Sequence, residues 1–144
     1  MNKRIICKDT EETKKLAEEF ASILKDEDIV LFYGDLGAGK TFFVRSVCRL
    51  LGVKSDNVLS PTFSIVKTYK VKDSHIHHFD FYRMGKNVGA EFFEFEDYLQ
   101  EKNIIFVEWA DRIKKTSFPG RVISITINIK GETEREFIID PWES

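Results

Sequence analysis

The segment Gly34 to Thr41 constrains this chain most, because it matches the pattern G-x-x-x-x-G-K-[ST] of a phosphate-binding loop, or P-loop. The apolar run at residues 29–33 predicts a short buried strand before it. Residues 42–51 after it carry helix-spaced apolar side chains up to Gly52. A strand, a glycine loop and a helix are the context that the pattern needs. This context disfavours the alternative, a glycine-rich turn that binds nothing.

The residue types in the loop fit the chemistry of a bound triphosphate. Gly37 and Gly39 let the backbone turn and approach a phosphate closely. Successive N–H groups and the helix N-terminus then point at the anion. Lys40 adds a positive charge for the β- and γ-phosphates, and the Thr41 hydroxyl is placed to ligate Mg²⁺.

Length and composition predict one ordinary globular domain, residues 1–144. Hydrophobic residues make up 42% of the chain and charged residues 32%, and thirteen Phe residues should fill much of the core. The net charge of −2 gives no general electrostatic drive toward nucleic acid, although a local basic patch stays open.

Cysteine usage and hydropathy predict a cytoplasmic protein without a membrane partner. Cys7 and Cys48 make neither a disulfide framework nor a zinc site, so we expect reduced thiols. No apolar stretch approaches the roughly 20 residues that span a bilayer. The first residues carry no apolar signal core.

The remaining periodicities predict βα units mixed with hairpins. Asp9 and Thr10 are candidate N-caps, with Glu12 three residues after Asp9, for a helix that ends near Lys25. The other predicted elements are strands at 4–7, 63–71, 75–82, 104–107, 122–130 and 134–139, and a helix at 91–100. Ile123, Ile125, Ile127 and Ile129 share one face of their strand. We therefore expect an α/β fold, a three-layer P-loop NTPase-like domain with a mixed β-sheet flanked by helices.

Glu108 is the leading acid for the second half of the site. Residues 104–107 are four apolar residues that end in this acid, which is the pattern of a Walker B strand. A strand next to the P-loop strand would deliver Glu108 beside Thr41, within reach of Mg²⁺. The alternative is a surface acid that follows a core strand.

Asp80 is the competing acid, because it also ends a predicted strand. It could hold a metal-bound water or Thr41. Alternatively, it pairs with Arg83 or His78. The sequence does not order Asp80 and Glu108 around the metal.

Thr62, Arg83 and the histidines complete the candidates. Thr62 could ligate Mg²⁺ and sense the γ-phosphate, or it could belong to a strand entry that Pro61 starts. Arg83 could serve as an internal arginine finger or as a structural ion pair. The histidines at 75, 77 and 78 are too irregular for a metal cluster, since the first two share one strand face and the third lies on the other.

Four motifs in order resemble the bacterial TsaE (YjeE) family of small P-loop ATPases. They are Gly-Asp-Leu-Gly-Ala-Gly-Lys-Thr at 34–41, Ser-Pro-Thr-Phe at 60–63, His-Phe-Asp-Phe-Tyr-Arg at 78–83 and Val-Glu-Trp at 107–109. The similarity runs from about Ile5 to Ile113. The family acts in the biosynthesis of threonylcarbamoyladenosine in tRNA.

The resemblance implies a set of site residues. Lys40, Thr62, Asp80 and Glu108 would form the catalytic region, with Thr41 and Glu108 at Mg²⁺ and Trp109 supporting Glu108. Thr10 would approach the nucleotide base. The ATP phosphates would lie on Leu36, Gly37, Ala38, Gly39, Lys40 and Thr41.

The resemblance also implies a function. The chain would be a slow ATPase required for the threonylcarbamoyl group on adenosine 37 of tRNA, acting with partner subunits of the TsaD and TsaB type. Contact with tRNA would be indirect, through that complex. One departure is Phe93-Glu94, where relatives usually carry a Leu-Gly or Met-Gly pair, and it affects the expected loop shape and partner contact there.

Two alternatives stay open. ATP binding rather than hydrolysis could control complex assembly, which would make the chain a nucleotide-dependent binding module. A small-molecule kinase is disfavoured, because no acceptor pocket or lid arginine cluster is evident and 144 residues leave no room for a substrate domain. No guanine-reading Asn-Lys-x-Asp segment is present.

Overall fold

A computed structural model describes residues 2–35, 37–54, 66–71, 74–80, 102–110, 118 and 120–142. Its helices are α1 (Thr10–Ile23) and α2 (Lys40–Leu50). Its strands are β1 (Lys3–Cys7), β2 (Ile29–Tyr33), β3 (Val66–Val71), β4 (Ser74–Asp80), β5 (Ile104–Glu108), β6 (Val122–Ile129) and β7 (Arg135–Asp140). The predicted elements at 63–65, 81–82 and 91–100 lie outside the described residues.

The strands form one mixed sheet in the order β1-β7-β6-β2-β5-β4-β3. The four central strands β6, β2, β5 and β4 run parallel to one another. Antiparallel pairs flank them, β3 with β4 on one side and β6 with β7 and β1 on the other. The predicted α/β class with a mixed sheet is confirmed. The carboxyl ends of β2, β4 and β5 meet at one edge, where α/β folds bind ligands.

Aromatic side chains join α1 and α2 to one face of the sheet. Phe43 of α2 lies at the centre, with its ring centroid 5.7 Å from that of Phe20, 6.2 Å from that of Phe32 and 5.1 Å from that of Phe137. All four side chains are buried, as the Phe-rich composition predicts. A second apolar cluster around Ile29, Ile105 and Phe79 lies on the opposite face, so the sheet is buried on both sides, as expected of a layered α/β domain.

The ends of α1 follow from local hydrogen bonding. Asp9 is the N-cap, and its Oδ1 accepts from the Glu12 N–H at 2.9 Å. Glu12 reaches back to the N–H of Lys8 at 2.6 Å, one residue before the cap. The helix ends at Ile23, two residues before the predicted end.

The exposure of Ile129 departs from the sequence pattern, whereas the two cysteines agree with it. Ile129 is 48% exposed although it shares a strand face with buried isoleucines, because β6 ends there and the chain turns toward β7. Both cysteines are free and buried. Burial raises the pKa of the Cys48 thiol to about 12, which keeps it unreactive.

Candidate functional site

The P-loop connects β2 to α2 with backbone conformations that favour glycine. Gly39, the N-cap of α2, has φ 104°, and Gly34 has φ 151°. A Cβ atom on Gly34 would lie 2.7 Å from the backbone oxygen of Ile127, so strand β6 leaves no room for a side chain. The helix begins at Lys40, two residues earlier than the apolar pattern predicts, because glycine residues allow the tight entry.

Lys40 is buried beneath the loop and is held by its carbonyl groups. Its ammonium donates to the carbonyl oxygens of Gly34 and Asp35, the latter at 3.2 Å. It also lies 3.7 Å from the ring centroid of Trp109, a cation–π distance. Trp109 directly follows β5 and has φ 59°, a left-handed conformation unusual for a bulky residue.

Glu108 joins α2, β4 and β5 at the sheet edge. Its Oε1 accepts from the Thr41 hydroxyl at 2.8 Å, and its Oε2 contacts Nε2 of His78. Glu108 and His78 are almost completely buried, with 2% and 1% exposure. The predicted neighbourhood of Glu108 and Thr41 is confirmed.

Asp80 ends β4 and lies in register with Glu108 on β5. Both acids line one cavity of about 280 Å³, together with the loop residues 37–41 and Trp109. The two competing acids therefore belong to the same site. His78, proposed above as a partner of Asp80, contacts Glu108.

Thr10 lines a second cavity of about 220 Å³ on the other side of the loop. Ala38, Gly39 and Phe42 also line it, so it adjoins the loop directly. Residues 132 and 133 and Arg135, from the turn between β6 and β7 and the start of β7, line it as well. The role of Thr10 at a nucleotide base stays a prediction, but its position next to the P-loop is compatible with that role.

Two contributors to the site were not found by sequence reasoning. The sequence left His78 as a possible partner of Asp80, whereas its strand neighbour Glu108 takes the contact. Arg135 was not singled out at all, yet its Nε donates to the carbonyl of Ala38 at 3.1 Å. No local pattern points to either contact, because each joins segments at least 30 residues apart.

Some predicted residues lie outside the described part of the chain. They are Leu36, Thr62, Arg83 and the departure at 93–94. Among the residues that are described, no group of three or more His, Cys, Asp or Glu side chains could hold a metal ion. The described helices include none that is long and apolar enough to span a bilayer.

A family model for threonylcarbamoyl adenosine biosynthesis protein TsaE matches residues 7–137. The chain belongs to the TsaE family. Membership of the TsaE family confirms the resemblance that the four motifs predicted.

TsaE relatives match most of the chain. The tRNA threonylcarbamoyladenosine biosynthesis protein TsaE of Rickettsia felis is 40% identical over 131 residues, which are 91% of this chain and 75% of that protein. The protein of the same name from Aquifex aeolicus is 36% identical and covers 93% of this chain and 92% of its own length. The crystal structure of Bacillus subtilis YdiB is similar with a TM-score of 0.69 and 29% identity, over 96% of this chain and 84% of that one.

Proposed function

We propose that this TsaE-family chain is a Mg²⁺-dependent P-loop ATPase required for forming the threonylcarbamoyl group on adenosine 37 of tRNA. The names of its relatives support the pathway. The contact of Thr41 with Glu108, at 2.8 Å beside the P-loop, is the observation that carries the ATPase assignment. In P-loop enzymes a loop Ser or Thr and an acid from a neighbouring strand together hold the metal.

The donor atoms at this edge suit Mg²⁺. Thr41 and Glu108 supply oxygen atoms, and Mg²⁺ is usually held by one or two carboxylates together with phosphates and water. A cage of several acids is therefore not needed. When bound, the ion would neutralise charge on the phosphate oxygens.

The protein groups have separable tasks in this proposal. The loop N–H groups and the start of α2 bind phosphate oxygens, and Lys40 exchanges its carbonyl contacts for them. Glu108 orients Thr41, and Asp80 adds a second carboxylate at the same edge that can hold a water. Thr62 would complete the catalytic region.

The finer parts of the proposal rest on the family and on the second cavity. The nucleotide is ATP, with its base toward Thr10, whose cavity adjoins Gly39 of the loop. The partners are subunits of the TsaD and TsaB type, which contact the tRNA, and the location is the cytoplasm.

ATP hydrolysis and tRNA modification in a reconstituted mixture with the partner subunits test this function. Lys40→Ala should abolish nucleotide binding or turnover, because the loop loses its cation. Lys3→Ala is the matched control, since Lys3 also lies over a tryptophan ring, 4.6 Å from the centroid of Trp142, but on β1 away from the loop. Modification that persists at its full multi-turnover rate without this chain would refute the proposed role.

A nucleotide-dependent binding module is the second candidate, and the contacts of Lys40 favour it. Because the ammonium lies 3.7 Å from the Trp109 ring, drawing it onto phosphate would alter the support of a half-buried aromatic side chain. Nucleotide occupancy could thereby change a partner surface without hydrolysis. A pull-down of the partners with ATP, ADP and a non-hydrolysable analogue separates the two candidates. Equal modification with the analogue over many turnovers would favour the binding module.

A further inference from the structure

Arg135, at the start of β7, connects two backbone segments through its guanidinium. On one side Nε donates to the carbonyl of Ala38 at 3.1 Å and Nη2 donates to that of Gly37 at 3.3 Å. On the other side Nη1 donates to three carbonyls of the turn at 131–134, at 2.8, 3.3 and 3.0 Å. Within the described part of the chain, all these acceptors are backbone carbonyls, so the side chain acts on backbone orientation rather than in an ion pair.

The turn that supports Arg135 is itself anchored. The Thr133 hydroxyl donates to the carbonyl of Lys8 at 2.8 Å, which ties the turn to the connection between β1 and α1. The N–H of Lys130 donates to the carbonyl of Glu134 at 3.0 Å and closes the turn. Arg135 therefore contacts the P-loop from a turn that hydrogen bonds hold in place.

The bond to Ala38 bears on the direction of the next N–H group. The carbonyl of Ala38 and the N–H of Gly39 belong to one peptide, and a trans peptide carries these groups on opposite sides. Arg135 lines the second cavity, whereas Gly39 lines both cavities. A carbonyl held toward Arg135 thus leaves the N–H of Gly39 directed away from the guanidinium.

The preceding peptide is fixed from within the loop. The N–H of Ala38 donates to the carbonyl of Asp35 at 3.0 Å, so this donor is already used in the turn. The N–H of Gly39, at the N-cap of α2 with φ 104°, is the next donor along the loop. Its orientation depends on a glycine backbone that adopts many conformations unless something holds it.

We propose that Arg135 is a positioning residue for phosphate binding, which holds the peptide between Ala38 and Gly39 so that the Gly39 N–H faces the anion. This inference rests on the proposed nucleotide function. In this proposal Arg135 acts through the loop backbone, to which it is hydrogen-bonded, and not by contacting phosphate or metal itself. The turn at 131–134 then also contributes to phosphate binding, because the Arg135 guanidinium donates hydrogen bonds both to this turn and to the P-loop.

Calorimetric binding of MgATP and of magnesium tripolyphosphate to the full chain tests the proposal. Arg135→Gln should weaken both ligands alike, by about tenfold, the effect expected of losing a charge-assisted hydrogen bond. Arg135→Lys should recover part of the affinity, because one ammonium keeps the charge but cannot hold both segments. Lys130→Gln is the control, since it removes a positive charge from the same hairpin. The Lys130 ammonium lies 3.8 Å from a carboxylate oxygen of Glu136.

The two ligands separate the proposed role from other roles of Arg135. Loss of ATP affinity with unchanged tripolyphosphate affinity would mean that Arg135 acts on the nucleoside, and would overturn the proposal. Unchanged affinity for both ligands in folded Arg135→Gln and Arg135→Lys would overturn it as well.

An amide ¹H–¹⁵N spectrum without ligand supplies a second readout that does not depend on the proposed function. The Gly39 peak should move more in Arg135→Lys than in Lys130→Gln, and an unmoved peak contradicts the inference. Wild-type protein that binds neither ligand would instead defeat the proposed function, so the two failures are distinguishable.

Discussion

Two buried carboxylates at opposite ends of the parallel strands differ in how their oxygens are used. Asp28 precedes β2 and is 1% exposed, and Glu108 ends β5 and is 2% exposed. Asp28 accepts two bonds from Arg121, at 2.9 and 2.7 Å, and one from the Lys25 N–H at 2.7 Å. Glu108 instead meets a hydroxyl and an imidazole at a cavity wall.

The difference separates a structural acid from a candidate ligand. Asp28 has a bidentate cation and a backbone donor, so its lone pairs are used inside the fold. Glu108 contacts a hydroxyl and an imidazole, and it has a cavity in front of it. Substitutions at Asp28 should therefore act on stability, and substitutions at Glu108 should act on turnover.

Asp28→Ala should have the largest effect, a loss of about 3 kcal/mol in the free energy of unfolding, because it removes the carboxylate that accepts two hydrogen bonds from the partly buried guanidinium of Arg121 and one from the Lys25 N–H. Urea unfolding measures the loss. The exposed neighbour Asp26 provides the control substitution Asp26→Ala. ATP affinity per folded molecule should stay unchanged, and a fall in that affinity without a loss of stability would erase the contrast between the two acids.

Glu108→Gln should lower the rate of ATP hydrolysis about 100-fold, the size typical of losing one electrostatic contribution to the transition state. Affinity for ATP should change less, since under the proposed function the loop and Lys40 would provide the phosphate contacts. Steady-state turnover and calorimetry measure the two quantities. Asp140→Asn, at an exposed acid that ends β7, is the control. If Glu108→Gln only destabilised the fold and left turnover per folded molecule intact, Glu108 would be a structural acid like Asp28.

His78→Gln should raise the Mg²⁺ concentration needed for half-maximal hydrolysis about tenfold, a typical cost of losing a group that orients a ligand. The physical reason is that Nε2 of His78 holds the Oε2 of Glu108. A Mg²⁺ titration of the ATPase rate measures the effect.

His77→Gln is the matched control for that titration. His77 is also buried on β4, but its ring lies on the other strand face, where Nδ1 is 2.9 Å from the Thr68 hydroxyl. Equal shifts in the two variants would mean that both histidines act through the stability of the sheet, and would remove His78 from the site.

Much of this arrangement could be predicted because it is local in sequence. The strand before Gly34, the capping by Asp9 and the apolar run that ends in Glu108 are patterns of a few residues each, and each is observed. The neighbourhood of Thr41 and Glu108 followed from one further assumption, that the strand before the P-loop is adjacent to the strand that ends in Glu108, and β2 does pair with β5.

The contacts of His78, Arg121 and Arg135 could not be predicted because they depend on strand order. Arg121 meets Asp28 only because β6 lies beside β2 in the sheet, and β7 returns Arg135 to the P-loop from almost 100 residues away. In the sequence Arg121 and Arg135 are isolated charges near strand starts, and His78 is one of three histidines in a predicted strand. Their partners become evident only when the register of the sheet is known.

A third acid, Glu136 on β7, extends the comparison of Asp28 with Glu108. Among all these substitutions, those at Glu136 should have the smallest effect. Hydrogen bonds from Asn128 at 3.0 Å, and then from Arg4 at 2.5 Å, hold the pKa of Glu136 below its usual range. Because the folded pKa is the lower one, Glu136 stabilises the fold above the unfolded value of about 4.3 and loses this contribution as pH falls through the folded pKa. Urea unfolding at several pH values should give a larger free energy of unfolding for wild type than for Glu136→Gln at pH 7. This difference in free energy should disappear as the pH falls. The Arg4→Gln substitution should make this difference in the free energy of unfolding smaller. A difference that does not depend on pH would show that Glu136 acts through packing and resembles neither Asp28 nor Glu108.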